Sequence, residues 1–147
     1  MRVRDVMLAA PITTTPEETL ESLLPRQLAS RQATAAVLGP GDELVGVVGI
    51  HDILRKIIPL YVDLDEKLME VMHEDYVEER LQRLKNTRVA DLMTRRLDTV
   101  SPDDYVTKAA AIIVEHCRKT LPVIQDGKFI GMITRRSILE KIGPTLL

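Results

Sequence analysis

An internal repeat constrains this chain more than any other feature of its 147 residues. The stretch VRDVM at 3–7 returns as VADLM at 89–93, and TTTPEETL at 13–20 returns as TVSPDDYV at 99–106, each 86 residues later. With one residue lost in a turn, TAAVLGPGDELVGVVG at 34–49 matches TLPVIQDGKFIGMIT at 120–134, and HDILRKI at 51–57 matches RSILEKI at 136–142. A unit of about 55 residues buries little surface by itself. The repeat therefore predicts two similar units that pack about a pseudo-two-fold axis and leave two related crevices.

Each unit has the same order of predicted elements. A short extended piece precedes a helix, and Thr15 and Ser101 are the predicted N-caps of the two helices because each is followed by a proline and then by an acidic residue at the third position. Two β-rich runs follow, joined in the second unit by the hairpin signal Asp126-Gly127. A short amphipathic helix closes each unit. The predicted fold is α+β, in the order βαββα twice.

The long helix of each unit carries apolar residues at helical spacing. In the second unit the apolar face runs from Val106 to Cys117, which places Cys117 in the predicted core. In the first unit Pro25 lies inside the helix and should kink or shorten it.

The segment 59–88 lies outside the repeat and divides the chain into predicted domains at 1–58 and 89–147. Its apolar spacing predicts one broken helix or two short ones, and Asp75 with Glu78 predicts a second capping box. Such an insert could serve a partner subunit, but the sequence favours packing on the body of the chain.

The composition excludes several classes of partner. The formal net charge is −2, which gives no reason to expect nucleic acid. No apolar run is long enough for membrane insertion, and the N-terminus lacks the pattern of a signal peptide. Because a single cysteine cannot form an internal disulfide, we expect a cytoplasmic protein.

The most specific part of the repeat is LPVI followed by DGKFIGMIT and then RRSIL, in residues 121–139. On these residues, and on the weaker copy in 3–57, the chain resembles the CBS (cystathionine-beta-synthase) domain pair, or Bateman module. The resemblance implies two βαββα units side by side. It also implies a regulatory role without catalysis, in which AMP, ADP, ATP, S-adenosylmethionine or NAD binds and a fused or partner enzyme, transporter or channel is modulated.

The family usually forms disc-like dimers of the pair, so the resemblance also implies a homodimer. We expect the closing helices to form its interface. Their isoleucines, which would otherwise leave apolar stripes uncovered, are Ile53, Ile57, Ile138 and Ile142.

The family's ligand motif follows the last strand of a unit: a glycine, two apolar residues, a hydroxyl residue, two further residues and an aspartate. The hydroxyl and the amides of a helix start suit phosphate. The first unit has Gly46 and Asp52 but Gly49 in place of the hydroxyl, and the second has Thr134 but Ser137 in place of the carboxylate. We therefore expect moderate affinity at most, about 4 to 8 kcal/mol, and favour the crevice that contains Asp52, because a carboxylate holds ribose more strongly than a serine does.

The resemblance implies two sets of ligand-contacting residues. The first crevice would use Thr13, Thr14, Val37, Gly46, His51 and Asp52. The second would use Thr99, Val100, Pro122, Val123, Thr134, Arg135, Arg136 and Ser137.

Plainer interpretations stay open. Asp52 could only cap its helix, Thr134 could only end its strand, and the arginines that follow could be solvated. Because both motifs are incomplete, the alternative is a protein-interaction module whose sites have decayed. The sequence shows no nucleophile–base pair and no complete phosphate-binding glycine loop, and His73 has no second histidine at helical spacing. The sequence therefore indicates neither an enzyme nor a metal site.

Overall fold

The computed structural model of the chain describes residues 1–8, 10–58 and 74–147. The first unit contains a three-stranded sheet and two helices. Strands β1 (Thr13–Thr14), β2 (Thr34–Leu38) and β3 (Leu44–Gly49) lie in that order, with β1 parallel to β2 and β2 antiparallel to β3. Helix α1 (Leu20–Ser30) connects β1 to β2, and α2 (Ile50–Ile57) follows β3 directly.

The described part of the insert contains helix α3 (Tyr76–Leu84). Leu81 and Leu84 pack against the core of the first unit, and Arg80 Nη2 donates to the carbonyl of Lys56 at 3.2 Å. This confirms, for the described part, that the insert packs on the body of the chain. The predicted capping box is wrong, since the Asp75 side chain makes no capping hydrogen bond. The predicted helical turns before residue 74 lie outside the described residues.

The second unit repeats the arrangement with α4 (Val106–Glu115), β4 (Thr120–Gln125), β5 (Lys128–Thr134) and α5 (Arg135–Ile142). Strands β4 and β5 form an antiparallel hairpin. Its turn residues Asp126 and Gly127 both have left-handed φ values, 52° and 77°, as the sequence predicted for this hairpin. The extended piece that corresponds to β1 forms a single parallel bridge between Val100 and Val123.

Both long helices begin later than predicted. A turn starts at Thr15 and at Ser101, but α1 begins at Leu20 and α4 at Val106. In the first unit the carbonyl oxygens of Pro16 and Glu18 accept hydrogen bonds from the amides of residues 90 and 89. These carbonyls are therefore not part of the hydrogen-bond pattern of a helix. The predicted N-caps are therefore turn residues.

The start of each repeat packs on the other unit. Val3 N–H donates to Asp104 O at 2.8 Å, and Val89 N–H donates to Glu18 O at the same distance. Val3 is fully buried in the core of the second unit and Val89 in the core of the first. We call residues 3–8 and 89–94 the exchanged segments. The two units therefore share backbone hydrogen bonds and core side chains, and the domain boundaries at 1–58 and 89–147 stay a prediction.

A third apolar cluster fills the middle of the seam between the two sheets. Ala36, Phe129 and Met132 are its buried members, with Leu8 and Val47 among the side chains packed on them. Because the centre of the seam is closed, the space for a ligand lies on either side of it.

Two sequence-based expectations about the helices are wrong: that Pro25 shortens α1 and that Cys117 lies in the core. Helix α1 runs through Pro25 for 11 residues and is not shorter than the 10-residue α4. Cys117 is exposed rather than in the core, because α4 ends at Glu115 and Cys117 adopts a left-handed φ of 53° in the turn that follows.

The isoleucines of the closing helices are also placed differently from the prediction. Ile53, Ile57 and Ile138 are buried in the cores of their own units, and only Ile142 remains partly exposed, at 38%. The apolar side chains that these helices leave most exposed are Leu54 and Leu139, which occupy equivalent positions of the repeat.

Candidate functional site

Two crevices flank the closed centre of the seam, and each lies where the last strand of a unit turns into its closing helix. We name them the Thr134 crevice, at the β5–α5 junction, and the Asp52 crevice, at the β3–α2 junction. Their volumes are about 250 and 220 Å³. The Thr134 crevice is lined by Leu8, Arg31, Gln32, Ala33, Thr34, Lys119, Thr120, Met132, Thr134, Arg135, Arg136, Ser137 and Glu140. The Asp52 crevice is lined by Ala33, Thr34, Val47, Gly49, Ile50, His51, Asp52, Arg55, Thr94, Cys117, Arg118, Lys119 and Thr120.

The two linings correspond through the repeat. Leu8 at the end of one exchanged segment matches Thr94 at the end of the other, and Arg31 matches Cys117 in the left-handed turn after the long helix. The exchanged segments reach their crevices by backbone hydrogen bonds, from Leu8 N–H to Met132 O at 2.7 Å and between Thr94 and Val47. Equivalent positions therefore line equivalent crevices with different chemistry.

The Thr134 crevice has a capped helix start at its base. Thr134 Oγ1 accepts the amide of Ser137 at 2.8 Å, and Ser137 Oγ accepts the amide of Thr134 at 2.9 Å. Because the Ser137 hydroxyl bonds to the backbone in this mutual cap, a serine is sufficient at position 137 to cap the start of α5. Leu8 and Met132 also line this crevice; Leu8 is partly buried, whereas Met132 is only 1% exposed.

Cations dominate the rest of the Thr134 crevice. Among the residues the structure describes, the side chains of Arg31, Lys119 and Arg135 form no hydrogen bond or ion pair, whereas Arg136 pairs with Glu140 at 2.7 Å. Three uncommitted positive charges beside a helix N-terminus favour an anionic group such as phosphate.

In the Asp52 crevice the charged groups largely satisfy one another. Asp52 Oδ2 accepts the Gly49 amide at 2.7 Å, and Oδ1 accepts from Arg55 at 2.6 Å and from Thr94 Oγ1 at 3.1 Å. A carboxylate offers about four acceptor positions, so Asp52 retains room for one further donor such as a ribose hydroxyl. It acts as a cap in this structure, and the cap does not exclude a ligand.

A second carboxylate restrains a cation of the Asp52 crevice. Hydrogen bonds from His116 and from Arg118, both at 2.9 Å, lower the pKa of Asp98 below its usual value. Arg118 is therefore held toward Asp98 rather than free to contact a ligand.

The structure places only part of the predicted ligand set in the crevices. Thr134, Arg135, Arg136 and Ser137 line one crevice, and His51 and Asp52 line the other. The remaining predicted residues line neither described crevice: Thr13, Thr14, Val37, Gly46, Thr99, Val100, Pro122 and Val123.

Four of these remaining residues have a clear structural role instead. Val37, Val100 and Val123 are buried, at 0%, 3% and 0% exposure, because they face the unit cores. Thr14 is 5% exposed and donates to Glu18, so its hydroxyl serves the turn before α1.

Sequence reasoning missed the residues that approach each crevice from elsewhere in the chain. These residues lie in the turns after the long helices, at 31–34 and 117–120, and at the ends of the exchanged segments. Their one sequence signal is that they recur at the repeat offset. Nothing in the sequence indicates that residues 31 and 119, from different units, line the same cavity.

Within the described part of the chain, no group of three His, Cys, Asp or Glu side chains could hold a metal ion. The described helices also include none with the length and apolar character needed to cross a membrane.

Two similar α+β units with an equivalent crevice on each side of their seam define a tandem-repeat module. The CBS domain matches residues 3–59 and again residues 89–144, so the chain belongs to the CBS domain family. The uncharacterized protein MJ1426 of Methanocaldococcus jannaschii is 30% identical over 97% of this chain and 91% of its own length. The next curated relatives are longer, and the chain spans 14%, 44% and 40% of them.

Solved structures have the same fold. The CBS domain of a CBS-domain-containing membrane protein from Sphaerobacter thermophilus has a TM-score of 0.74 and 27% identity, over 95% of this chain and 86% of that one. CBSX2, solved in complex with AMP, has a TM-score of 0.74 and 23% identity, over 99% and 98%. These likenesses confirm the α+β fold of paired repeats.

Proposed function

We propose that this chain is a regulatory module without catalytic activity that binds an adenosine-containing ligand, with AMP or ATP ahead of S-adenosylmethionine, in the Thr134 crevice. The observation that carries the proposal is the combination in one cavity of Arg31, Lys119 and Arg135, all uncommitted, with the partly buried apolar side chain of Leu8. Phosphate would lie against the cations, and the purine against the apolar side.

This choice of crevice differs from the one that the sequence favours. The Asp52 carboxylate is the reason why the sequence favours the first crevice. In the structure it already accepts three hydrogen bonds, from Gly49, Arg55 and Thr94. Of the cations described in that crevice, Arg55 and Arg118 have carboxylate partners and only Lys119 is uncommitted. A phosphate that also contacts Arg55 or Arg118 would have to displace it from its partner, and that displacement costs binding energy. The Thr134 crevice requires no such displacement, which supports it as the tighter site.

The structure of CBSX2 with AMP supports the ligand class, because a protein of the same fold takes an adenine nucleotide. The regulated partner is an enzyme, transporter or channel acted on in trans, and ligand binding would work by favouring one arrangement of the two units.

The assembly we propose is a homodimer. Four leucine and valine side chains at repeat-equivalent positions of the long and closing helices are strongly exposed: Leu28 (59%), Leu54 (52%), Val114 (76%) and Leu139 (63%). These side chains recur at equivalent positions of the repeat, and they supply the exposed apolar positions that a two-fold dimer interface would cover.

The ligand proposal is tested by thermal shift and calorimetry with AMP, ADP, ATP, S-adenosylmethionine and NADH. A ligand at about 100 times its dissociation constant should stabilise the fold by about 2.7 kcal/mol. At an AMP concentration that fills only the Thr134 crevice of the wild type, the double variant Arg31→Met/Arg135→Met should be stabilised much less by AMP. Lys128→Met, an exposed lysine that lines neither crevice, should keep it.

The competing function is a protein-interaction module. The observation in its favour is that Thr134 and Ser137 satisfy each other, so the motif residues of the second unit are explained without a ligand. No response to any of the five compounds would favour this alternative and would refute the proposed ligand binding.

A further inference from the structure

Among the residues that the structure describes, four line both crevices: Ala33, Thr34, Lys119 and Thr120. They form the boundary between the two cavities, where the turns that follow α1 and α4 meet β2 and β4. Only Lys119 carries charge. Its side chain has no hydrogen-bond or ion-pair partner among the residues that the structure describes, so nothing in that part of the chain holds it on one side of the boundary.

The other cations of the two crevices are unequally available. In the Thr134 crevice Arg31 and Arg135 are uncommitted. In the Asp52 crevice Arg55 pairs with Asp52, and Arg118 pairs with Asp98. Of the lysines and arginines described there, Lys119 alone is uncommitted, so a phosphate in the Asp52 crevice depends on a residue that the Thr134 crevice also uses.

We infer that the two crevices share one phosphate subsite at Lys119, so that a phosphate-bearing ligand in either crevice weakens the binding of a second one in the other. This inference rests on the proposed nucleotide binding. The physical reason is that one ammonium group can neutralise one phosphate at close range, while two phosphates at a shared boundary repel each other. A neutral nucleoside, which has no phosphate, binds without this coupling.

The coupling is reciprocal by thermodynamic linkage. In coupled sites, occupancy of one site commonly changes the affinity of the other by about 5- to 150-fold. We expect a factor of about ten here, within that range. AMP should fill the Thr134 crevice first, because this crevice keeps the cations Arg31 and Arg135 even when Lys119 contacts a phosphate in the Asp52 crevice.

The test is an NMR titration that follows each crevice separately. The backbone amides of Gly49 and Thr134 lie at the two helix starts, so their signals report the two occupancies. The probes are AMP and adenosine. In the wild-type chain AMP should move the Thr134 signal first and the Gly49 signal only at higher concentration.

The decisive comparison uses variants that leave the Asp52 crevice intact. In Arg31→Met/Arg135→Met the Thr134 crevice keeps only the shared Lys119 as an uncommitted cation, so it competes less well for phosphate and the Gly49 midpoint for AMP should fall about tenfold. Adding Lys119→Met should abolish that gain. The midpoint for adenosine should be the same in wild type and double variant, and Lys128→Met should behave as wild type with both probes.

The outcomes distinguish a failure of the shared subsite from a failure of nucleotide binding. If AMP moves both signals but the Gly49 midpoint is the same in wild type and in Arg31→Met/Arg135→Met, the shared subsite is refuted while nucleotide binding stands. An equal gain for adenosine refutes it as well, because adenosine carries no phosphate. If neither AMP nor adenosine moves either signal, the proposed function fails and the inference fails with it.

Discussion

Met93 lies directly over Gly46, so that a Cβ atom built on the glycine would be 2.9 Å from the methionine Sδ and 3.0 Å from the carbonyl oxygen of Thr94. Met93 belongs to one exchanged segment and Gly46 to β3, so this contact is where the second repeat closes on the first unit. The glycine that the family motif assigns to the ligand site has a packing role in this chain. The repeat contains the same pair once more, with Met7 over Gly131.

Replacing Gly46 by alanine should therefore destabilise the fold by about 1 to 3 kcal/mol, because the methyl group meets a backbone atom that cannot move alone. Gly131→Ala should cost less, since the near atom at 2.9 Å is the flexible end of Met7 and the nearest backbone oxygen is 3.6 Å away. Urea denaturation measures both. Gly143→Ala, where no atom lies within 4 Å, is the control, and equal losses at positions 46 and 131 would contradict the argument.

Removing the hydroxyl of Thr134 should loosen the start of α5. Thr134→Ala leaves the Ser137 amide without its partner and should cost about 1 kcal/mol, while Thr134→Ser should stay close to wild type. Chemical denaturation gives the free energies. A Thr134→Ser variant as unstable as Thr134→Ala would show that the methyl group rather than the cap contributes the stability.

Acid should weaken the fold through Glu18. Burial raises the pKa of this carboxyl, but hydrogen bonds from Ser22, Thr14 and Arg26 together lower it below the ordinary value of 4.5. The native state thus binds a proton less readily than the unfolded chain, so this stabilisation is fully present above pH 4.5 and is lost as the pH falls through the lower native pKa.

The matching variant is Glu18→Gln, which should reduce stability at neutral pH and flatten its decline in acid. Glu17→Gln, at an exposed neighbour without these hydrogen bonds, should leave the profile unchanged. Denaturant midpoints recorded from pH 7 down to pH 3 provide the comparison. An unchanged acid slope in Glu18→Gln would assign the pH dependence to other groups, among them Asp104, whose pKa is lowered by the Ser101 amide and by Lys108.

The proposed dimer predicts that charge on the exposed closing-helix leucines prevents association. Leu54→Glu and Leu139→Glu should each shift the protein to monomers in light scattering and leave the circular dichroism spectrum intact, because both side chains are more than half exposed in the single chain. Val77→Glu, at an exposed apolar position of α3, is the control. A wild-type protein that is monomeric at micromolar concentration would refute the dimer.

The repeat by itself determined the architecture of the chain. Self-similarity along the chain predicted two equivalent units, and apolar spacing and turn chemistry, such as that of Asp126-Gly127, predicted the order of elements within them. These features follow from the sequence because period and turn geometry are local properties. The types of element were therefore predictable. The first residues of the two long helices were not, because amides distant in sequence donate to the carbonyls of the turns that start at Thr15 and Ser101.

Tertiary structure alone decided which unit each segment joins and what lines the crevices. Residues 3–8 and 89–94 carry the same apolar pattern, so packing on their own unit or on the other one satisfies the sequence equally well, and only the folded chain shows the exchange. The same holds for Arg31 and Lys119, which are separated by 88 positions in sequence but line one cavity. Periodicity specifies that a residue faces a core or a solvent surface. Long-range packing determines which neighbours it meets there, and those neighbours decide the charge of the site.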